Sequence, residues 1–179
     1  MVFRSILPFL LPLLLSGCKI DRDKKVNREK FQFKIRADAN LFFRNVRQIY
    51  YDRESPDGKW QAYRFNERDT SNRQPSVQAV IVIHWIKEEA YLLIEPNPIL
   101  AEEESISVVV KNQSDTLLLR ERGRERMLEF GSKIYEAIQA KKDLIVLSNG
   151  KYVPLLKDEK EREAFRITMA DYYRLTGIF

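Results

Sequence analysis

Four arginines, Arg44, Arg47, Arg53 and Arg64, are interleaved along the chain with Tyr50, Tyr51, Trp60 and Tyr63. A guanidinium offers anions a planar fork of donors and stacks on aromatic rings, so this interleaving suits recognition of an anionic ligand or of a partner's acidic surface. Arg44, Arg47, Tyr50, Tyr51, Trp60 and Arg64 form the candidate face. Its alternative is a set of ordinary sheet aromatics with solvated arginines between them. His84 is the one histidine and lies inside Val80-Ile81-Val82-Ile83-His84-Trp85. So apolar a setting favours a hydrogen-bonded core or sheet-face histidine, because a metal site or a Ser-His-Asp arrangement needs partners that no spacing here displays. Glu102-Glu103-Glu104 has oxygen atoms for Ca²⁺, yet it lacks the alternate-position acids and the turn glycine of a calcium loop and is expected to be solvated. No Gly-x-Gly-x-x-Gly, Walker-type or Gly-x-Ser-x-Gly pattern occurs. No metal and no cofactor is therefore expected. A glycosidase-type carboxylate pair remains open, since that pairing is made in space.

The one cysteine, Cys18, closes the run Ile6-Leu-Pro-Phe-Leu-Leu-Pro-Leu-Leu-Leu-Ser-Gly-Cys18, which follows Arg4. An early cation, a short apolar stretch and small residues before a cleavage point are the parts of an export signal. The apolar run is about half the roughly 20 residues needed to span a bilayer as a helix. Pro8 and Pro12 break its helical continuity as well. The segment Leu15-Ser16-Gly17-Cys18 resembles the lipobox of bacterial lipoproteins. That resemblance implies removal of residues 1–17, with Cys18 left as the first residue carrying acyl chains on sulfur and nitrogen. It also implies a place in the bacterial cell envelope, at the outer membrane, with periplasmic and surface faces both open. Cysteine catalysis and thiolate metal binding are then closed off, and no disulfide can form within the chain.

Of the 179 residues, 162 remain after such a cleavage, enough for one domain with its own core. The net charge of +5 is uneven. Residues 19–75 carry 15 basic against 9 acidic side chains, and residues 76–179 carry 15 against 17. The basic half adjoins the membrane, where anionic head groups attract it. In a cytoplasmic protein the arginine and aromatic mixture would suggest nucleic acid; behind an export signal it points instead to anionic glycans or an envelope protein, and nucleic acid is not an expected partner.

The elements that must position these residues are legible in outline. Residues 18–30 read as a lipidated cysteine followed by a charged tether, and residues 31–179 as a single domain. Phe31, Phe33 and Ile35 alternate with polar residues as in a half-buried strand. Residues 41–51 are ambiguous: Phe42, Val46, Ile49 and Tyr50 would line one helical face, whereas the aromatic and β-branched content favours a strand pairing with 60–65 across Ser55-Pro56-Asp57-Gly58. Residues 77–86 and 90–95 predict a central hairpin, 106–110 and 116–119 a second. Leu144 to Leu147 and Tyr152 to Leu156 flank Asn149-Gly150, the pair preferred by a two-residue type I′ turn. Two amphipathic helices complete the pattern. One begins at Arg124 and carries Met127, Phe130, Ile134 and Ile138; the other runs from a capping box at Asp158 and Glu161 through Phe165, Met169, Tyr172 and Leu175 to Gly177. The expected class is α+β, with a largely antiparallel sheet built from hairpins and two helices in the C-terminal half. Residues 41–51 and 158–175, including Asp171-Tyr172-Tyr173-Arg174-Leu175, are similar to segments of uncharacterised lipoproteins of Bacteroidota. That similarity implies a compact exported domain without a known activity. The expected function is a lipid-anchored binding or accessory module of the envelope without catalysis; the competing class is an envelope-polymer hydrolase.

Overall fold

Hydrophobic alternation through the middle of the chain produces two antiparallel sheets of four strands each. The computed structural model describes residues 24–111, 116–120 and 123–179; the segment 1–17 expected to be a signal peptide, Cys18 and the hairpin connection expected at 112–115 lie outside the described residues. The first sheet contains β1 (Tyr51–Glu54), β2 (Trp60–Phe65), β3 (Val77–His84) and β4 (Glu89–Pro96), in that spatial order. The second contains β5 (Ile106–Val110), β6 (Thr116–Leu119), β7 (Leu144–Ser148) and β8 (Lys151–Leu155), ordered β6-β5-β7-β8. Four α-helices are described: α1 (Ala37–Phe42), α2 (Pro98–Ala101), α3 (Arg124–Gln139) and α4 (Glu159–Thr176). The class is α+β as expected, with the strands divided between two sheets.

One face of the first sheet carries Tyr51, Tyr63, Phe65, Ala79, Ile81, Leu92 and Ile94, all buried. The two long helices press on this face, α4 against β3 and α3 against β4. Gly131 permits the second contact: a methyl group there would stand 2.7 Å from Leu92 Cδ2 and 3.2 Å from Ile94 Cδ1. The helices are tied to each other by the buried Tyr173 hydroxyl, which donates to Ser132 Oγ at 2.7 Å. Both predicted helical stripes are buried throughout.

Local signals set the ends of α4. Asp158 accepts from the Lys160 amide while Glu161 reaches back to the Asp158 amide, closing the capping box. At the other end Gly177 has φ 72°, and the amides of Gly177 and Ile178 return to the carbonyls of Arg174 and Tyr173. In the β7–β8 turn both Asn149 and Gly150 have positive φ, 49° and 71°, as a type I′ turn requires.

Three segments depart from expectation. Residues 41–50 are helical: α1 passes into a π turn over Phe43–Arg47 and a 3-10 turn over Gln48–Tyr50, and only then does β1 begin. The reason is packing. Helical spacing turns both Phe43 and Arg47 inward, whereas a strand would have put Asn45 on the buried side with them. The hairpin itself exists, formed by β1 and β2 with Tyr51 opposite Phe65. The helical face named from sequence is the exposed one, since Phe42, Val46, Ile49 and Tyr50 all lie at the surface. Residues 31–35 form no strand; they make a single bridge, Lys34 to Glu89, alongside β4. Residues 24–30, assigned to the tether, lie on the domain: Val26 packs against the core, Arg28 pairs with Glu136 at 2.7 Å, and the Lys24 ammonium sits over the Phe179 ring.

Candidate functional site

Asp171 organises the region that holds most of the candidate face. It lies on the inner side of α4, with its side chain only 4% exposed. The Arg47 Nε–H points at both carboxylate oxygens, 3.0 Å from each, and the Tyr51 hydroxyl donates to Oδ2 at 2.6 Å. Burial raises the Asp171 pKa above the ordinary aspartate value despite the Tyr51 hydrogen bond and the Arg47 charge. Burial, and then the Asp171 charge, push the Tyr51 phenol well above its ordinary value. Arg47 also stacks on Tyr50, its guanidinium carbon 4.7 Å from the ring centre. Tyr51 packs in turn against Phe43 and Phe65, and Phe43 meets the edge of Tyr63 at 5.2 Å between centroids.

The structure therefore brings Arg47, Tyr50 and Tyr51 together and places Arg44 nearby. The charges of Arg53 and Arg44 both act on the Tyr63 phenol, which burial nevertheless raises. Arg44 and Arg53 are exposed. Trp60 and Arg64 belong elsewhere, because alternation along β2 turns residues 60, 62 and 64 to the face opposite Tyr63 and Phe65. There Arg64 is locked by two carboxylates, donating to Glu95 at 2.8 and 2.6 Å and to Glu54 at 2.7 Å. Those bonds, Glu95 first, raise its pKa above the ordinary arginine value. Trp60 meets His84 edge to face at 4.4 Å. The six residues named from sequence are thus two sets on opposite sides of one sheet.

His84 is a sheet-face histidine at the end of β3, its Nδ1 accepting from the Lys87 amide at 3.2 Å. Within the glutamate run, Glu103 accepts from the Asn149 amide at 2.9 Å and so steadies the β7–β8 turn. Among the described residues no group of three His, Cys, Asp or Glu side chains stands close enough to hold a metal ion. The buried carboxylates among them are Glu161 and Asp171. Both lie on α4, ten residues apart in sequence, which is about 15 Å along a helix. That separation exceeds the range for paired glycosidase acids, about 5–9.5 Å. Glu161 instead borders a cavity of about 20 Å³ among Ser76, Phe65, Ala79 and Phe165.

Asp171 is the residue that sequence reasoning left without a role. The signal was present: an acid at 171 shares the inner side of α4 with Ala164, Thr168 and Leu175, at helical spacings of 7, 3 and 4. An acid there demands a buried donor or cation. Chemically the arrangement is a clamp. Its carboxylate is occupied by donors from within the fold, and it fixes residues 43–51 onto α4 with Leu41, Phe42, Val46, Ile49 and Tyr50 facing outward.

No known protein family, curated protein or solved structure matches this chain. No helix among the described residues is long and apolar enough to cross a membrane.

Proposed function

We propose that this protein is a lipid-anchored binding or accessory module of the bacterial envelope, held at the outer membrane through Cys18 and acting by contact rather than catalysis. The observation that carries this reading is the ten-residue apolar run ending in Leu15-Ser16-Gly17-Cys18 behind Arg4. Its length fits an export signal and is too short for a spanning helix. Two or more acyl chains make attachment stable where one would be marginal.

The polar groups best suited to catalysis are engaged within the fold, which supports action by contact. His84 accepts from Lys87, Asp171 is held by Arg47 and Tyr51, and Glu161 closes the capping box of α4. The exposed apolar and basic residues around 41–53 are surface for such a contact. Replacing Cys18 by Ser tests the anchor. The expected result is loss of the acyl mass and release of the protein from the membrane fraction. Retention of Cys18→Ser in the membrane at the wild-type level would refute the reading.

A further inference from the structure

Nine large apolar side chains are exposed among the described residues, and five of them fall between 41 and 50. Leu41 is 63% exposed, Phe42 39%, Val46 46%, Ile49 71% and Tyr50 40%. Single exposed hydrophobics are ordinary on a protein surface, but a cluster of this density marks an interaction site. The segment is held with this side outward, because Phe43 is buried against Tyr51 and Tyr63 while Arg47 is clamped to Asp171. The flanking acids Asp38 and Asp52 are paired with Arg36 and Arg68, no acidic residue lies between them, and Arg44 is exposed beside the apolar side chains. The Arg174 guanidinium lies over the Phe42 ring, 5.1 Å from its centroid. An apolar strip rimmed by cations matches the boundary between acyl chains and anionic head groups.

The path of the chain puts this strip near the anchor. Lys24, the first described residue, sits over Phe179 just beyond the C-terminal end of α4. The same end receives the start of α1. The Arg36 amide donates to the Leu175 carbonyl at 3.1 Å, and the Arg36 side chain lies against Gly177. Six residue steps separate Cys18 from Lys24, a reach of about 20 Å at most. The six residues of α1 add only about 9 Å to its far end. We infer that residues 41–50 dock on the anionic bilayer in which the Cys18 acyl chains are embedded, giving the domain a second membrane contact and a fixed orientation. The inference rests on the lipid-anchor reading.

The test uses the full lipidated chain reconstituted into vesicles of phosphatidylethanolamine and phosphatidylglycerol. Acylation of Cys18 leaves Ile49→Cys as the one free thiol, and the high exposure of Ile49 keeps the substitution out of the core. A nitroxide placed there is expected to be shielded from a water-soluble nickel chelate and reached by oxygen. The same label at Tyr152→Cys, on β8 and 67% exposed, is expected to stay accessible to the chelate. One charge near an anionic leaflet changes binding about fivefold, so Arg44→Glu should lower the docked-to-undocked ratio roughly 30-fold and return the Ile49→Cys label to water.

If the anchored protein shows equal chelate access at both sites, docking is refuted while the anchor reading stands. Spin–spin broadening between labels at position 49 would assign the face to a second copy and overturn the proposal. Shielding unchanged by Arg44→Glu would refute the electrostatic half and with it the choice of an anionic bilayer. Absence of the acyl mass on Cys18 would remove the underlying reading and the proposal together.

Discussion

Arg47→Ala should be among the most destabilising substitutions at a partly exposed position in this protein. The variant leaves the Asp171 carboxylate, 4% exposed, with the Tyr51 hydroxyl as its close donor. Breaking a buried ion pair by removing one partner costs about 3–5 kcal/mol. The Arg47 side chain is 22% exposed and Tyr51 stays in place, so the lower end, about 3 kcal/mol near neutral pH, is expected. Asp171→Asn should cost less, about 1–2 kcal/mol, because Arg47 can turn toward water and an amide oxygen can still accept from Tyr51. The pH dependence separates this account from simple loss of packing. The native Asp171 pKa already lies above the ordinary value of 3.8, so its ionisation costs stability as pH rises through the native value and costs nothing below 3.8. Removing Arg47 takes away an opposing charge and raises the native pKa further. The penalty of Arg47→Ala is thus full above that pKa and shrinks as pH falls toward 3.8. Urea unfolding at a series of pH values, followed by the fluorescence of Trp60 and Trp85, measures it. A penalty below about 1 kcal/mol at neutral pH, or one that stays constant on acidification, would refute the clamp.

Gly131→Ala should lower the melting temperature even though alanine is the better helix former by roughly 1 kcal/mol. The added methyl meets buried side chains of Leu92, Ile94 and Met169 at 2.7–3.3 Å, and such overpacking costs about 1–3 kcal/mol; a raised melting temperature would mean that these side chains yield freely. Glu161→Gln keeps the capping box and removes a charge from a buried site whose pKa is raised by burial above 4.5. The wild type loses stability as pH climbs through that raised value and the variant does not, so the stability difference should move in favour of glutamine from acid to neutral pH; a pH-independent difference would contradict the burial of charge at Glu161.

Where a structure is specified by neighbours in sequence, the chain is legible. The Asn149-Gly150 turn, the capping box at Asp158 and Glu161, the C-terminal Gly177 and both long helical stripes need no information beyond a few residues on either side. Residues 41–50 are different. Their helical form depends on Phe43 meeting Tyr51 and Tyr63 and on Arg47 meeting Asp171, which is 124 positions away. Before those contacts exist, the aromatic and β-branched residues of the segment suit a strand equally well. The division of the candidate face was half readable. Parity along β2 separates Trp60 and Arg64 from Tyr63, but placing Tyr51 on the side of Tyr63 requires the β1–β2 register, which pairs Tyr51 with Phe65. Glu54 and Glu95, which lock Arg64, lie on two other strands and carry no mark in sequence.

The outward orientation of residues 41–50 itself calls for an energetic account. Rolling the segment so that Leu41 and Ile49 turned inward would hide apolar surface worth about 1.5–3 kcal/mol for each side chain. Such a roll would also withdraw Phe43 from its pocket, at about 3–5 kcal/mol, and break the Arg47–Asp171 pair at a similar cost. The clamp and Phe43 together outweigh the gain, so the apolar strip stays in water while the protein is alone. A surface held in an unfavourable solvent by the rest of the fold gains most from a partner that removes it from water without disturbing the clamp. A bilayer edge does this for the aliphatic side chains, and it leaves Arg44 at head-group level, where its charge is an advantage rather than a desolvation penalty.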